Sequence, residues 1–430
     1  MNRFSSLFSQ ILKFIPRTDF VGEVRKLSAE RHARGVSCWQ QLVSMLFCQL
    51  GRAHGLREIE KGLRSCEGKL SHLGINVVGR SSFSYMSAHR PWQPYRDVFH
   101  LLYGRNMCQL PHSQGRKMKR FRFKNKLVSL DASVLVLCLS MSNWAKFPTT
   151  KGAIKLHLLL DHDGYLPSLA VITTDSVHDV TVAKTRKFQP GTISMDERGY
   201  NDYELLGGGT DERVYFVTRM KDNALYRVVK NQPVPCASNS NIKKVQVIRF
   251  PGPQAKKMCS LELRVVTFYD EEQKREFLLL SNNFRLAATT IAAFYEDRWA
   301  VELSFQTLKQ NLKIKTFVGT TPTALKTQVW SAFITMLLLC FMHLKLRWGW
   351  SMSNLVELMR INLCTHREFW ARLDSPFALR PESAGACAGG TAFWLGQHRG
   401  AGIRTESKVC QKFQKKMVDA SPDSGQIGQQ

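Results

Sequence analysis

Acidic residues are scarce: 34 Asp and Glu face 61 Lys and Arg, a formal net charge of +27 over 430 residues. That imbalance excludes an acidic surface and points to a polyanionic partner, because each Lys or Arg that meets a phosphate releases condensed counterions. Nucleic acid is the leading polyanion, with generic basicity as the bland alternative. Long apolar runs are missing as well. The longest, residues 329–342, is about a dozen residues against the ~20 that cross a bilayer, so no membrane segment is expected. The 11 cysteines are scattered, with no C-x-x-C pair and no Cys/His cluster at zinc spacing. Neither a disulfide framework nor a structural zinc is therefore indicated, and a reducing cytoplasm fits. No small-residue cleavage site follows residues 1–15, where Phe4, Leu7, Phe8, Ile11, Leu12 and Ile15 recur at helical spacing. An amphipathic first helix is predicted, with a mitochondrial presequence as the alternative.

What is present is a chain that is 44% hydrophobic, long enough for a sizeable core and two or three domains. Residues 1–110 read as an all-helical N-terminal domain, expected to bind DNA. Residues 38–47 and 56–63, separated by Gly51 and Gly55, suit a helix-turn-helix or any small bundle, with Arg52, Arg57, Lys61, Arg64 and Lys69 nearby. Residues 111–126 form a basic linker. Its Arg116, Lys117, Lys119, Arg120, Arg122, Lys124 and Lys126 interleave with Phe121 and Phe123, suiting backbone phosphates or a charge-protected edge strand.

From residue 127 the pattern turns to strand: 127–137, 153–160, the turn Asp161-His162-Asp163-Gly164, and 165–173. This turn is read as a hairpin before it is read as metal ligands. A helix over 179–187, with His178 and Asp179 as its cap, precedes a strand over 192–195, a helix or loop, and a strand over 214–218. That order, within 127–220, is the order of a ribonuclease-H-like core in an α/β fold. Residues 221–284 read as a strand-rich insertion with strands over 243–250, 261–268 and 277–281. Two helices follow within 285–377, over 287–312 and 324–348; residues 336–344 are core. Residues 378–430 lose all periodicity, with a Gly/Ala breaker over 384–390, and are expected to be disordered.

Within the helix over 287–312, Tyr295, Arg298, Glu302 and Lys309 stand at offsets of three, four and seven, which keep them on one helical face. On spacing alone this is an ordinary amphipathic stripe with an Arg298–Glu302 ion pair. The run Tyr295-Glu296-Asp297-Arg298-Trp299-Ala300-Val301-Glu302, continuing to Lys309, resembles the Y-(2)-R-(3)-E-(6)-K signature of the IS-four family of bacterial insertion-sequence transposases. Val128-Ser129-Leu130-Asp131-Ala132-Ser133 resembles that family's first acidic strand, and Glu197-Arg198-Gly199-Tyr200 its second acidic motif. The likeness runs from about residue 8 to 377 and includes residues 29–35 and Arg90-Pro91-Trp92.

The resemblance implies a DDE transposase that cleaves double-stranded DNA at the terminal inverted repeats of its element and transfers the ends to target DNA. It implies a homodimer in the synaptic complex and work beside the nucleoid in a bacterial cytoplasm. Phosphodiester chemistry of this kind uses two Mg²⁺ ions, or Mn²⁺, roughly 4 Å apart, to activate the nucleophile and stabilise the leaving oxygen. Asp131, a second acid and Glu302 would hold them; Tyr295, Arg298 and Lys309 would contact phosphates, as would Arg116, Lys117 and Arg120 in the linker. One departure stands out. The family places aspartate immediately before Arg-Gly-Tyr, where this chain has Glu197, with Asp196 one residue earlier. The expectation adopted is Asp131, Asp196 and Glu302 as the metal set, with Glu197 as the other catalytic candidate. Asp196 serves only after a local rearrangement, since a one-residue slip reverses the face of a strand residue. A copy that binds DNA but no longer cuts it is the alternative, and a nuclease with other substrates is a third reading.

Overall fold

The computed structural model describes residues 5–375 apart from 32, 34, 67–72, 110–120, 122–124, 137–152, 235–240, 272 and 313–318. The linker residues Arg116, Lys117 and Arg120 and the segment 378–430 therefore lie outside the described residues. Met1–Pro376 make one compact unit.

Six helices come first: α1 (Leu7–Leu12), α2 (Arg17–Lys26), α3 (Cys38–Gly51), α4 (Leu56–Ser65), α5 (Arg80–His89) and α6 (Gln93–Gln109). The first helix is shorter than residues 1–15, and it buries Leu7, Phe8, Ile11 and Leu12. Helix α3 opens on a capping box, in which Ser37 and Gln40 satisfy each other's orphan N–H groups. It closes at Arg52, which adopts the left-handed conformation and binds Glu357 at 2.6 Å.

One sheet of nine strands runs in the order β3-β2-β1-β4-β5-β9-β8-β7-β6. Its members are β1 (Leu127–Val136), β2 (Ala153–Asp161), β3 (Leu166–Thr174), β4 (Ile193–Asp196), β5 (Tyr215–Arg219), β6 (Arg227–Gln232), β7 (Ile242–Arg249), β8 (Leu263–Asp270) and β9 (Arg275–Ser281). Strands β1 to β3 are consecutive antiparallel neighbours, as the alternation predicts, whereas β4 is parallel to β1 and β5 to β4. The β2–β3 turn uses Gly164 at φ 115 and Tyr165 at φ 54; the glycine takes a conformation that costs other residues strain. The strand-rich stretch expected as an insertion extends the same sheet, because β9 pairs antiparallel with β5. Its outermost strand β6, exposed along nearly its whole length, has no buried alternation to reveal it in sequence.

Helices α7 (Asp179–Lys184), α8 (Tyr203–Asp211) and α9 (Pro253–Met258) cover one face. His178 stands at the α7 N-cap position without a side-chain capping bond, while Asp179 pairs with Lys155 at 3.2 Å. On the other face lie α10 (Ala288–Asp297) and α11 (Ala300–Gln306), followed by a π-helical turn, Thr307–Asn311. The helix expected without interruption over 287–312 is thus broken at Arg298 and Trp299, where Glu302 N–H bonds back three residues to Trp299. Helix α12 (Pro322–Lys345) is long and apolar enough to cross a membrane, yet 83% of its most apolar window is buried within the protein. Helices α13 (Met352–Asn362) and α14 (Phe369–Asp374) complete the described chain.

The largest core joins α1–α6 to α12–α14 and to the inner side chains of β2 and β3. The N-terminal helices accordingly share their interior with the last helices. Backbone N–H groups of Leu7 and Phe8 donate to the carbonyls of Thr365 and Leu363, both at 2.9 Å, and the sulfurs of Cys66 and Cys364 lie 2.9 Å apart.

Candidate active site

Side chains on a strand alternate between faces, and that rule sorts the acids. On β1, Leu127 faces the core that Ile193, Met195, Ile291 and Phe294 share, and Ser129 and Asp131 follow it at intervals of two. Leu130 faces the other way, with Leu159, Ala183 and Tyr200. The parallel register pairs Leu130 with Asp196, so Asp196 points away from Asp131. It lines a cavity of about 280 Å³ with Leu130, Arg186, Ser194 and Tyr200, and its carboxylate accepts from Ser194 Oγ at 2.7 Å. Glu197 continues β4 with extended backbone and returns to the face of Ile193, Met195 and Asp131. Its carboxylate accepts from the Gly199 N–H at 3.0 Å, capping the short helical turn Arg198–Tyr200.

The break between α10 and α11 delivers the remaining groups. Arg298 is buried, with Nη2 at 2.8 Å from Glu302 and Nη1 at 3.9 Å from Asp131. Its Nε and Nη1 have no hydrogen-bond partner, and its guanidinium lies 5.4 Å from the Tyr295 ring centre. Lys309, in the π turn, reaches Ser133 Oγ at 2.6 Å. The fold therefore brings Asp131, Tyr295, Arg298 and Glu302 together and Lys309 to Ser133 on β1, with Glu197 turned to the same side; Asp196 takes the opposite face of β4, though the charges of Arg298 and Asp131 still act on its carboxyl.

Burial pushes the Asp131 carboxyl up to about 6. A backbone N–H and Arg298 oppose that rise, while Glu302 and Glu197 add to it. Glu302 is raised first by burial and further by Glu197, against Arg298. Asp196 is also pushed up to about 6 by burial. Arg298 keeps its charge despite burial, because Glu302, Tyr295 and Asp131 surround it and hold its pKa above the ordinary value. This is a carboxylate cluster whose members repel one another and are neutralised in part by one guanidinium. Among the described residues, no three Asp, Glu, His or Cys side chains gather closely enough to hold an ion.

Sequence reasoning missed Ser133, whose contact with Lys309 depends on tertiary register. It also missed a buried group formed by Ser129, His162, Tyr165 and Asp297. In sequence His162 reads only as part of a hairpin turn, and Asp297 carries no signal beyond its place beside Arg298.

Comparison with known proteins matches these elements. Residues 122–338 match the family described as Transposase DDE domain, and residues 3–76 match a domain of unknown function, DUF4372. A Sinorhizobium fredii protein named as a transposase is 27% identical over 61% of this chain and 70% of its own length. A Geobacillus stearothermophilus protein named as transposase for insertion sequence element IS5377 is 28% identical over 52% of this chain and 59% of its own. A piggyBac transposase synaptic complex with hairpin DNA superposes over 96% of this chain and 90% of that chain, at 11% identity and a TM-score of 0.45, a likeness too loose to carry detail. With the family profile spanning β1 through most of α12, and with insertion-sequence relatives consistent with the IS-four resemblance, the chain belongs to the transposase DDE-domain family.

Proposed function

We propose that this protein is a DDE transposase that cleaves double-stranded DNA at the terminal repeats of its own insertion sequence and transfers the 3′-hydroxyl ends to target DNA. The observation that carries the reading is the convergence of Asp131 and Glu302 on the buried Arg298, with Glu197 near enough to raise the pKa of both acids. The ribonuclease-H-like reading of the core is supported by the order β3-β2-β1-β4-β5, with three antiparallel strands followed by two parallel additions.

Members of this family generally use divalent metal ions. The donor set here fits in kind: three oxygen-bearing acids in a partly buried, mutually repelling cluster suit hard cations such as Mg²⁺ or Mn²⁺. Asp131, Glu197 and Glu302 would hold two such ions once Arg298 gives way, and the ions would activate the attacking oxygen and stabilise the leaving one. We read Asp196, expected in that set, as lying outside it, because its register with Leu130 turns it to the other face and its carboxylate accepts from Ser194. Arg298, released from Glu302, has the planar fork to bind a phosphate bidentately, with Tyr295 stacked beside it. Lys309 supplies a point charge at the end of β1. The partner is DNA, with two copies of the chain in the synaptic assembly, acting at the nucleoid of a bacterial cytoplasm.

Mg²⁺-dependent cleavage of labelled DNA bearing the sequences that flank the reading frame, with Glu302→Gln as the inactive control, tests this. Cutting at the element end by the parent alone supports the proposal, and equal cutting by both proteins sinks it. A second reading, a copy that binds these ends without cutting, is favoured by Glu197, one methylene longer than the family's aspartate and held to Gly199. Binding without cleavage selects it.

A further inference from the structure

Beside the acidic cluster lies a largely buried polar chain, with Tyr165 its one partly exposed member. Ser129 Oγ is 2.7 Å from His162 Nε2, and His162 Nδ1 is 2.7 Å from Asp297 Oδ2. Tyr165 donates its hydroxyl to both oxygens of Asp297, at 3.0 and 3.2 Å. The His162 backbone N–H donates to the Leu127 carbonyl at 3.1 Å. Ser129 is 0% exposed, His162 5% and Asp297 8%. A carboxylate only accepts, so His162 Nδ1 carries a proton and Nε2 meets the serine hydroxyl. This matches the connectivity of a Ser-His-Asp catalytic triad. Ser129, however, lies in mid-strand between two covered faces, where a substrate carbonyl has no approach, and nucleophilic chemistry is excluded.

Position along the chain gives the group its meaning. Ser129 precedes Asp131 by two residues on the same face of β1. Asp297 is the last residue of α10, and Arg298 follows it at the helix break, with Glu302 one turn beyond. His162, from the β2–β3 turn, is the side chain that bridges the two supports. We propose that His162 is a positioning residue that fixes the end of α10, and with it Arg298 and the start of α11 that carries Glu302, against the strand carrying Asp131. The proposal rests on the transposase reading for its functional consequence, whereas the clamp itself stands on geometry. Removing one member leaves the others buried with unmet hydrogen bonds, and a displacement near 1 Å at a catalytic group lowers rate by about a hundredfold.

The test uses the full chain. His162→Ala is expected to lower the single-turnover cleavage rate of pre-bound labelled end DNA by about a hundredfold, with DNA affinity kept within about threefold of the parent (less than ~0.7 kcal/mol). His162→Asn, whose amide can donate toward Asp297, is expected to recover at least about tenfold of that loss. Cleavage by His162→Ala at the parental rate would overturn the proposal, and so would a loss matched by lost DNA binding. Should His162→Ala fail to fold, proton NMR of imidazole-labelled parent and Glu302→Gln protein provides a second readout. A far-downfield Nδ1 proton present in both, and absent from His162→Asn, establishes the clamp; its absence from the parent refutes it. A parent that shows this proton yet cuts no DNA places the failure in the transposase reading.

Discussion

At the scale of single residues, the decisive fact is the direction in which β4 ends. Asp196 and Glu197 are neighbours in sequence but face opposite sides of the sheet, so their variants should separate. Glu197→Gln is expected to abolish metal-dependent cleavage, while Asp196→Asn retains it within about threefold, as measured on the same labelled DNA; a hundredfold loss in Asp196→Asn would reverse the assignment. Acid should act on both, by different routes. Asp131 is raised to about 6 in the ion-free protein, so the apparent affinity for Mg²⁺, read by isothermal titration calorimetry, should fall as pH drops through about 6, where the empty carboxyl takes up a proton that an incoming cation must displace. For Asp196, also raised to about 6 by burial, the folded state binds its proton more tightly than the unfolded chain does. The stability this contributes is complete below its ordinary value near 3.8 and is lost as pH rises through about 6. Asp196→Asn should therefore melt about 2–4 °C above the parent near pH 8, with the difference closing toward pH 4, by calorimetry across that range. The acids Asp131 and Glu302 and the cations Arg298 and Lys309 were legible from motif spacing. Which of Asp196 and Glu197 shares a face with Asp131 was not, because it depends on the register of β4 against β1, two strands separated by more than fifty residues. Ser133 and His162 were hidden for the same reason.

At the scale of elements, the helix that carries the signature departs most from its sequence pattern. Residues 287–312 have one apolar periodicity, yet the backbone breaks at Arg298 and widens into the π turn at Lys309. Periodicity marks which face is buried and is blind to a buried Asp297 held from the side by His162 and Tyr165. π turns commonly mark functional sites, and this one delivers Lys309 to β1. Helix α8 offers the contrary case. Its Gly207-Gly208-Gly209 run reads equally as helix or loop, and it is helix because packing overrides propensity. A Cβ added at Gly207 would lie 1.9 Å from the Met258 carbonyl oxygen at the end of α9, whereas Gly208 faces open space. Gly207→Ala is expected to destabilise by about 1–3 kcal/mol or more through overpacking, and Gly208→Ala to stabilise by roughly 0.5–1 kcal/mol. Chemical denaturation of the two variants side by side checks both signs; equal effects would mean that α8 and α9 do not meet as described.

At the scale of the whole molecule, a net charge of +27 should make DNA binding steeply salt-dependent. If the chain neutralises six to ten phosphates, affinity is expected to fall about 10³- to 10⁵-fold between 50 and 200 mM salt, measurable by fluorescence anisotropy on duplex DNA. A flat response would assign the charge to some other role. The sheet and its flanking helices were legible as α/β from alternation. Less so was the sharing of one core between the first six helices and the last three, since nothing in residues 1–110 announces what will cover them. That shared core gives synthesis a temporal order. Helix α6 leaves the ribosome some two hundred residues ahead of α12, an interval of roughly 10–45 s at ordinary elongation rates. Throughout it, the apolar flanks of α3 and α6 destined for α12 have no permanent cover, and Leu7 and Phe8 wait longer still for Leu363 and Thr365. Nascent chains of this protein are therefore expected to present that apolar surface to holding chaperones throughout the interval, and a chain that terminates before α12 should leave its helical first quarter without its cover.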